Sequence, residues 1–230
     1  MLGPVAQAVV DWLETQTNDE NVAGMARYGI RPVRAIGMNA PQLEAKAKQL
    51  GTDQGLALEL WSTGIHEARM IAVYIADPQK MSGALMDRWA QDFDSWALCD
   101  HACMHLFDRT QWAYVKALEW TGWEPEYVKR AGFALAAALA VHDKKADDAR
   151  FRAFFKPVLL EAGDDRNLVK KGISWALRQI GKRSRALHVE ALEVAKKLAE
   201  SDSAAARWVG KDVLKELESE SVKKRIALKP

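Results

Sequence analysis

In the stretch Phe93-Asp94-Ser95-Trp96-Ala97-Leu98-Cys99-Asp100, an indole and a carboxylate stand four residues apart. Four residues is about one helical turn, so Trp96 and Asp100 project from one face of a helix. Far downstream, Trp175 sits in a strongly basic segment. Arg166, Lys170, Lys171, Arg178, Lys182, Arg183 and Arg185 follow one another there with no acid among them. Two aromatic faces, one carboxylate and a basic wall suit a ligand that carries positive charge within a polyanion, as an alkylated purine in DNA does. An indole face attracts a cationic group by roughly 0.5–2 kcal/mol, depending on solvation. A cationic base is already a good leaving group, so its N-glycosidic bond can break without a general acid. What remains to be supplied is a placed water and stabilisation of the positive charge developing on the sugar. One carboxylate near C1′ can do both. A neutral base would need protonation or a deep pocket, and this equipment is poor for that.

Each of these residues also has a plainer reading. The chain holds nine tryptophans, and most of them must be packing residues. Asp100 alone would read as an exposed helix acid or the partner of a nearby base, and the cationic run as a solvated helix face. Cys99, His101, Cys103 and His105 suggest a metal, but the cysteines share one helix face and the histidines another, about 200° away. One ion cannot collect all four from a regular helix. No metal and no cofactor is therefore expected, and Walker-type loops, dinucleotide fingerprints and helix-hairpin-helix glycine patterns are missing from the sequence.

The elements that must position these groups read as helix after helix. Helices are expected at 4–17, 41–50, 54–62, 66–76, 80–90, 95–107, 109–121, 124–140, 148–162, 165–181, 185–200 and 203–219, and alternating strand patterns are absent. Some of them echo one another. Tyr127-Val128-Lys129-Arg130-Ala131-Gly132 aligns with Leu168-Val169-Lys170-Lys171-Gly172-Ile173 at an offset of 41, and Trp208-Val209-Gly210-Lys211 follows at a further 40. Glu67-Ala68-Arg69-Met70 is an earlier echo. A period of about 40 with paired helices points to HEAT-like repeats, which stack into a curved all-α solenoid with inner helices on a concave face. A non-repeating helical bundle is the alternative. Arg130 stands beside a very apolar stripe, so its guanidinium must emerge at an edge or find a partner.

At 230 residues and 49% hydrophobic content, the chain can bury a core as one domain, expected over 1–220 with a basic tail at 221–230. It has no run of about 18 apolar residues, so no membrane contact is expected. The opening Met-Leu-Gly-Pro-Val-Ala-Gln lacks the pattern of a secretion signal, and two cysteines at i,i+4 spacing fit a reducing cytoplasm. The net charge of +2 is unevenly placed: residues 1–100 hold 8 Lys/Arg against 13 Asp/Glu, and residues 101–230 hold 25 against 18. The second part is thus net +7, a polarity that favours a polyanionic partner.

Ordered along the chain, these segments resemble the AlkD-type DNA alkylation repair glycosylases, a family of HEAT-like repeats. The resemblance rests on Met25-Ala26-Arg27-Tyr28 followed by Gly37, on Leu60-Trp61 and Glu67, and on Trp96-x-x-x-Asp100. It continues through Val128-Lys129-Arg130-Ala131 and Lys171-Gly172-Ile173-Ser174-Trp175-Ala176-Leu177-Arg178, with serine at a place where glycine is usual. Each motif is short, and their order and spacing carry the match. The resemblance implies hydrolysis of the N-glycosidic bond of N3- or N7-alkylated purines in duplex DNA without flipping the base into a pocket. It implies Asp100 as the catalytic carboxylate and Trp96 and Trp175 as contacts to the lesion's nucleotide. Arg130, Arg178 and Tyr28 become candidate DNA contacts, with Lys170 and Lys171 adding charge.

The chain departs from the family's best-known members at Ser95 and Ala97, where a tryptophan and an aspartate are usual. The leading expectation is a monomeric, monofunctional glycosylase that leaves an abasic site. A non-catalytic binder of branched or damaged DNA and a protein-binding helical scaffold are the competing readings.

Overall fold

The computed structural model describes residues 2–229, which are helical apart from short connections. The described chain divides into two compact units, with the boundary between Gln111 and Trp112.

The first unit holds α1 (Pro4–Thr15), α2 (Asp19–Arg27), α3 (Ala40–Leu50), α4 (Gln54–Ser62), α5 (His66–Ile75), α6 (Gly83–Gln91) and α7 (Trp96–His105). Small polar residues fix where several of these begin. Asn18, Asn39, Asp53, Ser82 and Ser95 each accept a hydrogen bond from a backbone N–H in the first turn that follows. The core runs along α5, which packs on α3, α4 and α7 and leaves only Arg69 and Tyr74 half-exposed. Beside it Trp61 and Trp89 stack with centroids 3.8 Å apart. Glu67 of α5 is completely buried (0% exposed). Its carboxylate accepts the backbone N–H groups of Ile36 and Gly37, both at 2.8 Å. Gly37 sits at φ +90°, and a Cβ there would meet the Asn18 carbonyl oxygen at 2.5 Å, so only glycine fits. Segment 33–37 is thereby sewn onto α5, with Arg34 and Ile65 forming an isolated parallel bridge.

The second unit holds α8 (Ala113–Trp120), α9 (Glu126–His142), α10 (Asp148–Arg152), α11 (Phe155–Glu161), α12 (Asn167–Gly181), α13 (Arg185–Ala199), α14 (Ala204–Leu217) and α15 (Glu220–Ala227). Its centre is α9, buried without a break from Val128 to Ala140. Helix α9 packs on α8 and α12, α12 on α14, and α14 on α13. The equivalents of α9 are thus the helices that carry the echoes at offsets of 41 and 40. Polar ties link one repeat to the next at nearly constant spacing: Arg130 to Leu168, Ser174 to Asp212 and Arg178 to Glu216, each separated by 38 residues. The small residues of α9 serve close approach. A Cβ on Gly132 would lie 2.6 Å from the Thr121 nitrogen and 2.9 Å from the Ala117 oxygen of α8.

Four expected boundaries need correction. Helix α2 is an element beyond those expected: it is short and none of its residues is buried, although Val22, Met25 and Ala26 recur at helical spacing. The expected helix 148–162 is two helices, α10 and α11. Pro157 has no N–H to donate to the Ala153 carbonyl, and the ladder breaks there. The expected helix 109–121 starts only at Ala113, after a 3-10 turn at Phe107–Arg109. Within the basic stretch 221–230, residues up to Ala227 belong to α15, capped by Ser219 and buried through Val222 and Ile226; Pro230 lies outside the described residues. No helix among the described residues is long and apolar enough to cross a membrane.

Candidate active site and nucleic-acid interface

In the first unit, the site is built at the start of α7. Ser95 is fully buried and its Oγ accepts the Leu98 N–H at 3.3 Å, which starts the helix at Trp96. A tryptophan at position 95 could not make this cap. The loop before it is held from several sides. Asp92 accepts the Trp61 indole N–H at 2.7 Å, Arg69 donates to the Asp92 carbonyl at 2.8 Å, and the Val33 N–H donates to Asp94 at 3.2 Å.

Trp96 is half-buried, and its indole N–H donates to the Tyr28 carbonyl at 3.0 Å. Tyr28 itself ends α2 with its side chain 76% exposed. The Trp96 ring is therefore tethered by its nitrogen. Asp100 lies one turn further along α7, half-buried, while Leu98, Cys99, Ala102 and Cys103 face the core. The first unit thus brings Tyr28, Trp96 and Asp100 into one neighbourhood.

The Cys103 thiol, near Asp100 on α7, is a poor nucleophile. Burial pushes the Cys103 thiol well up, helped by its hydrogen bond with Cys99 and by the charges of Cys99, Asp100 and Asp108. Burial also depresses His101, to about 3, with His105 adding repulsion. His101 stays neutral, with Nε2 3.2 Å from the Met70 carbonyl. No group of three potential metal ligands comes together among the described residues.

In the second unit, α12 carries Lys171, Trp175 and Arg178 at i, i+4 and i+7, a single stripe along the helix that Lys182 extends at the C-cap. Its opposite face, from Val169 through Ile173, Ala176, Leu177 and Ile180, is buried. Trp175 is half-buried and Lys171 exposed, and the Lys170 ammonium lies 5.3 Å from the Trp208 ring centroid. Arg178 is already engaged: it pairs with Glu216, lies 3.7 Å from Asp212 and donates from Nε to the Ser174 carbonyl at 3.3 Å. Burial alone would raise the Glu216 carboxyl, but Lys182 and Arg178 outweigh it and hold the carboxyl below its ordinary value. Ser174, at the usual glycine position, is fully buried with its Oγ on Asp212 at 2.5 Å.

Arg130 found its partner inside rather than at an edge. It is 7% exposed and donates from Nη1 to the Leu168 carbonyl at 2.7 Å. It packs across to α12, where its stem lies beside Gly172. Asp212 and Glu216, which pair with cations of the α12 stripe, were not among the residues expected from the sequence. Their signal was present: each lies one repeat beyond the residue it contacts.

The model of the family described as DNA alkylation repair enzyme matches residues 9–217. No curated protein matches the chain. The chain is similar to a solved structure from a family of proteins related to the HEAT-like repeat DNA glycosylases, with affinity for branched DNA structures. The two share 22% identity at a TM-score of 0.78, over 97% of this chain and 96% of that one. The likeness establishes the HEAT-like repeat fold.

Proposed function

From the premise that this chain belongs to the DNA alkylation repair enzyme family, we propose that it hydrolyses the N-glycosidic bond of cationic N3- or N7-alkylated purines in duplex DNA. The observation that carries this reading is the Trp96–Asp100 face of α7, with its indole tethered and its carboxylate one turn away. In this mechanism Asp100 orients and deprotonates water and faces the positive charge that builds on the sugar as the bond breaks. The indoles of Trp96 and Trp175 contact the lesion's nucleotide and favour its cationic base. The electron pair of the glycosidic bond leaves with the base, neutralising it, so no acid is required. The base stays unflipped, unlike the extrusion that most glycosylases use. Tyr28, Lys170 and Lys171 contact the DNA backbone. Arg130 and Arg178 act mainly by holding α12 and its stripe in place, because their guanidinium groups already have protein partners.

Incubation with DNA carrying 7-methylguanine or 3-methyladenine tests this reading directly. Free base should appear and an abasic site should remain.

A second reading is a non-catalytic binder of branched DNA. It is favoured by the affinity of the structurally similar protein and by Ser95 and Ala97, which remove two groups usual beside the catalytic region. That reading expects tight binding to a four-way junction and no base release.

A further inference from the structure

Near the C-terminal ends of α9 and α12, the second unit has an open cavity of about 380 Å³ whose lining includes Lys144, Lys182, Arg183, Arg225 and Lys229 and, among the described residues, no carboxylate. Three of these cations have internal employment. Lys182 pairs with Glu216 at 2.5 Å. Arg183 donates to the carbonyls of Ala140, Asp143 and Ala146 at 3.1, 2.7 and 2.8 Å, closing the end of α9. Lys229 donates to the carbonyls of Lys182 and Arg183 at 2.6 and 3.0 Å, closing the end of α12. Helix C-termini attract such groups.

Lys144 and Arg225 have no such employment: both are exposed, and neither forms an ion pair with a described residue. They come from different elements, the loop after α9 and the last turn of α15, yet line one cavity. Burial first, and then repulsion from Lys144, Arg225 and Arg183, lowers the Lys229 ammonium. Among the described residues, Lys144, Arg225 and Lys229 thus share one cavity with no carboxylate on its lining.

We propose that this cavity binds a phosphodiester of the DNA backbone, as a second contact on the strand that runs past Trp175. The inference rests on the DNA-binding part of the proposed function. Gln179, on the cavity wall, is one turn from Trp175, and Lys182 is seven residues from it. Seven residues of helix rise span roughly 10 Å, about three nucleotides at about 3.4 Å of duplex rise each. The site therefore takes a backbone phosphate about three nucleotides from the one against Trp175.

The test compares the full-length protein with the Lys144→Ser/Arg225→Ser variant, which removes the two uncommitted cations and leaves every capping contact. Binding to duplex DNA is followed against salt concentration. The variant should bind about tenfold more weakly at low salt, with a log–log salt slope shallower by about 1–2, and keep the wild-type melting temperature. Replacing single linkages by neutral methylphosphonates leaves the protein untouched. A neutral linkage about three nucleotides from the lesion should weaken wild-type binding and add nothing to the defect of the variant. An unchanged slope and affinity in a wild type that binds DNA would overturn the cavity site alone. A wild type without salt-dependent DNA binding would overturn the cavity site and the proposed function together. Inorganic pyrophosphate that binds the wild type but not the variant, with DNA binding unaffected, would assign the cavity to a free anion and overturn the DNA contact.

Discussion

That Asp100 and Trp96 share a helix face was legible from their spacing, because residues four apart on a helix lie one turn from each other. Their surroundings were not legible. That Trp96 is tethered to the Tyr28 carbonyl depends on a contact across 68 residues, and no local pattern reports such a contact. The same holds for Glu67, whose type and position were visible but whose role as acceptor for two amides was not. Because it is wholly buried with both oxygens satisfied, Glu67→Ala would strand the Ile36 and Gly37 N–H groups. A loss of about 2–4 kcal/mol is expected, read as a lower urea midpoint. Histidine protonation gives a second check at this scale. The folded state holds His101 at about 3, against an ordinary value of 6.5. Between these values the unfolded chain binds the proton and the folded chain does not, so stability falls as pH drops below about 6.5. From pH 7 to pH 5 this one residue should cost about 2 kcal/mol, and His66, also depressed by burial, adds in the same direction. Urea unfolding at the two pH values, repeated on His101→Gln, isolates the contribution; an unchanged difference in that variant would sink the assignment.

At the scale of elements, the repeat was readable because its small and basic residues recur at near-constant offset. The helices α9, α12 and α14 occupy the places those echoes predict. The short helices α2 and α15 carry apolar residues at helical spacing, Val22, Met25 and Ala26 in one and Val222 and Ile226 in the other, but over about two turns these are too few to stand out among the charges. Close approach of α8 and α9 hinges on Gly132, since any Cβ there runs into the α8 backbone. Gly132→Ala should therefore cost about 1–3 kcal/mol through overpacking, with a lower thermal midpoint as readout. The α12 stripe leads to a different kind of prediction. Arg178 is balanced by Glu216, so Glu216→Gln should free a cation and strengthen DNA binding. Lys171→Ala should weaken it and make the log–log salt slope shallower by about 1. Equal DNA affinity in both variants would remove α12 from the interface.

For the molecule as a whole, charge is divided along the chain. Residues 1–111 hold 9 Lys/Arg against 14 Asp/Glu, a net of −5, and residues 112–230 hold 24 against 17, a net of +7. The boundary between the compact units falls between the same residues. In the proposed function the basic unit contacts phosphates, and DNA binding should weaken steeply with salt. In the proposed function Asp100 makes a DNA-binding helical repeat a hydrolase, and the decisive measurement is single-turnover release of 7-methylguanine from duplex DNA. Wild type and Asp100→Asn are measured on the same substrate, with DNA affinity determined for both. Expected are release by the wild type, a rate at least about 10²-fold lower for Asp100→Asn, and similar DNA affinity for both. Equal release by the two proteins, or no release by a wild type that binds the DNA tightly, would contradict that function.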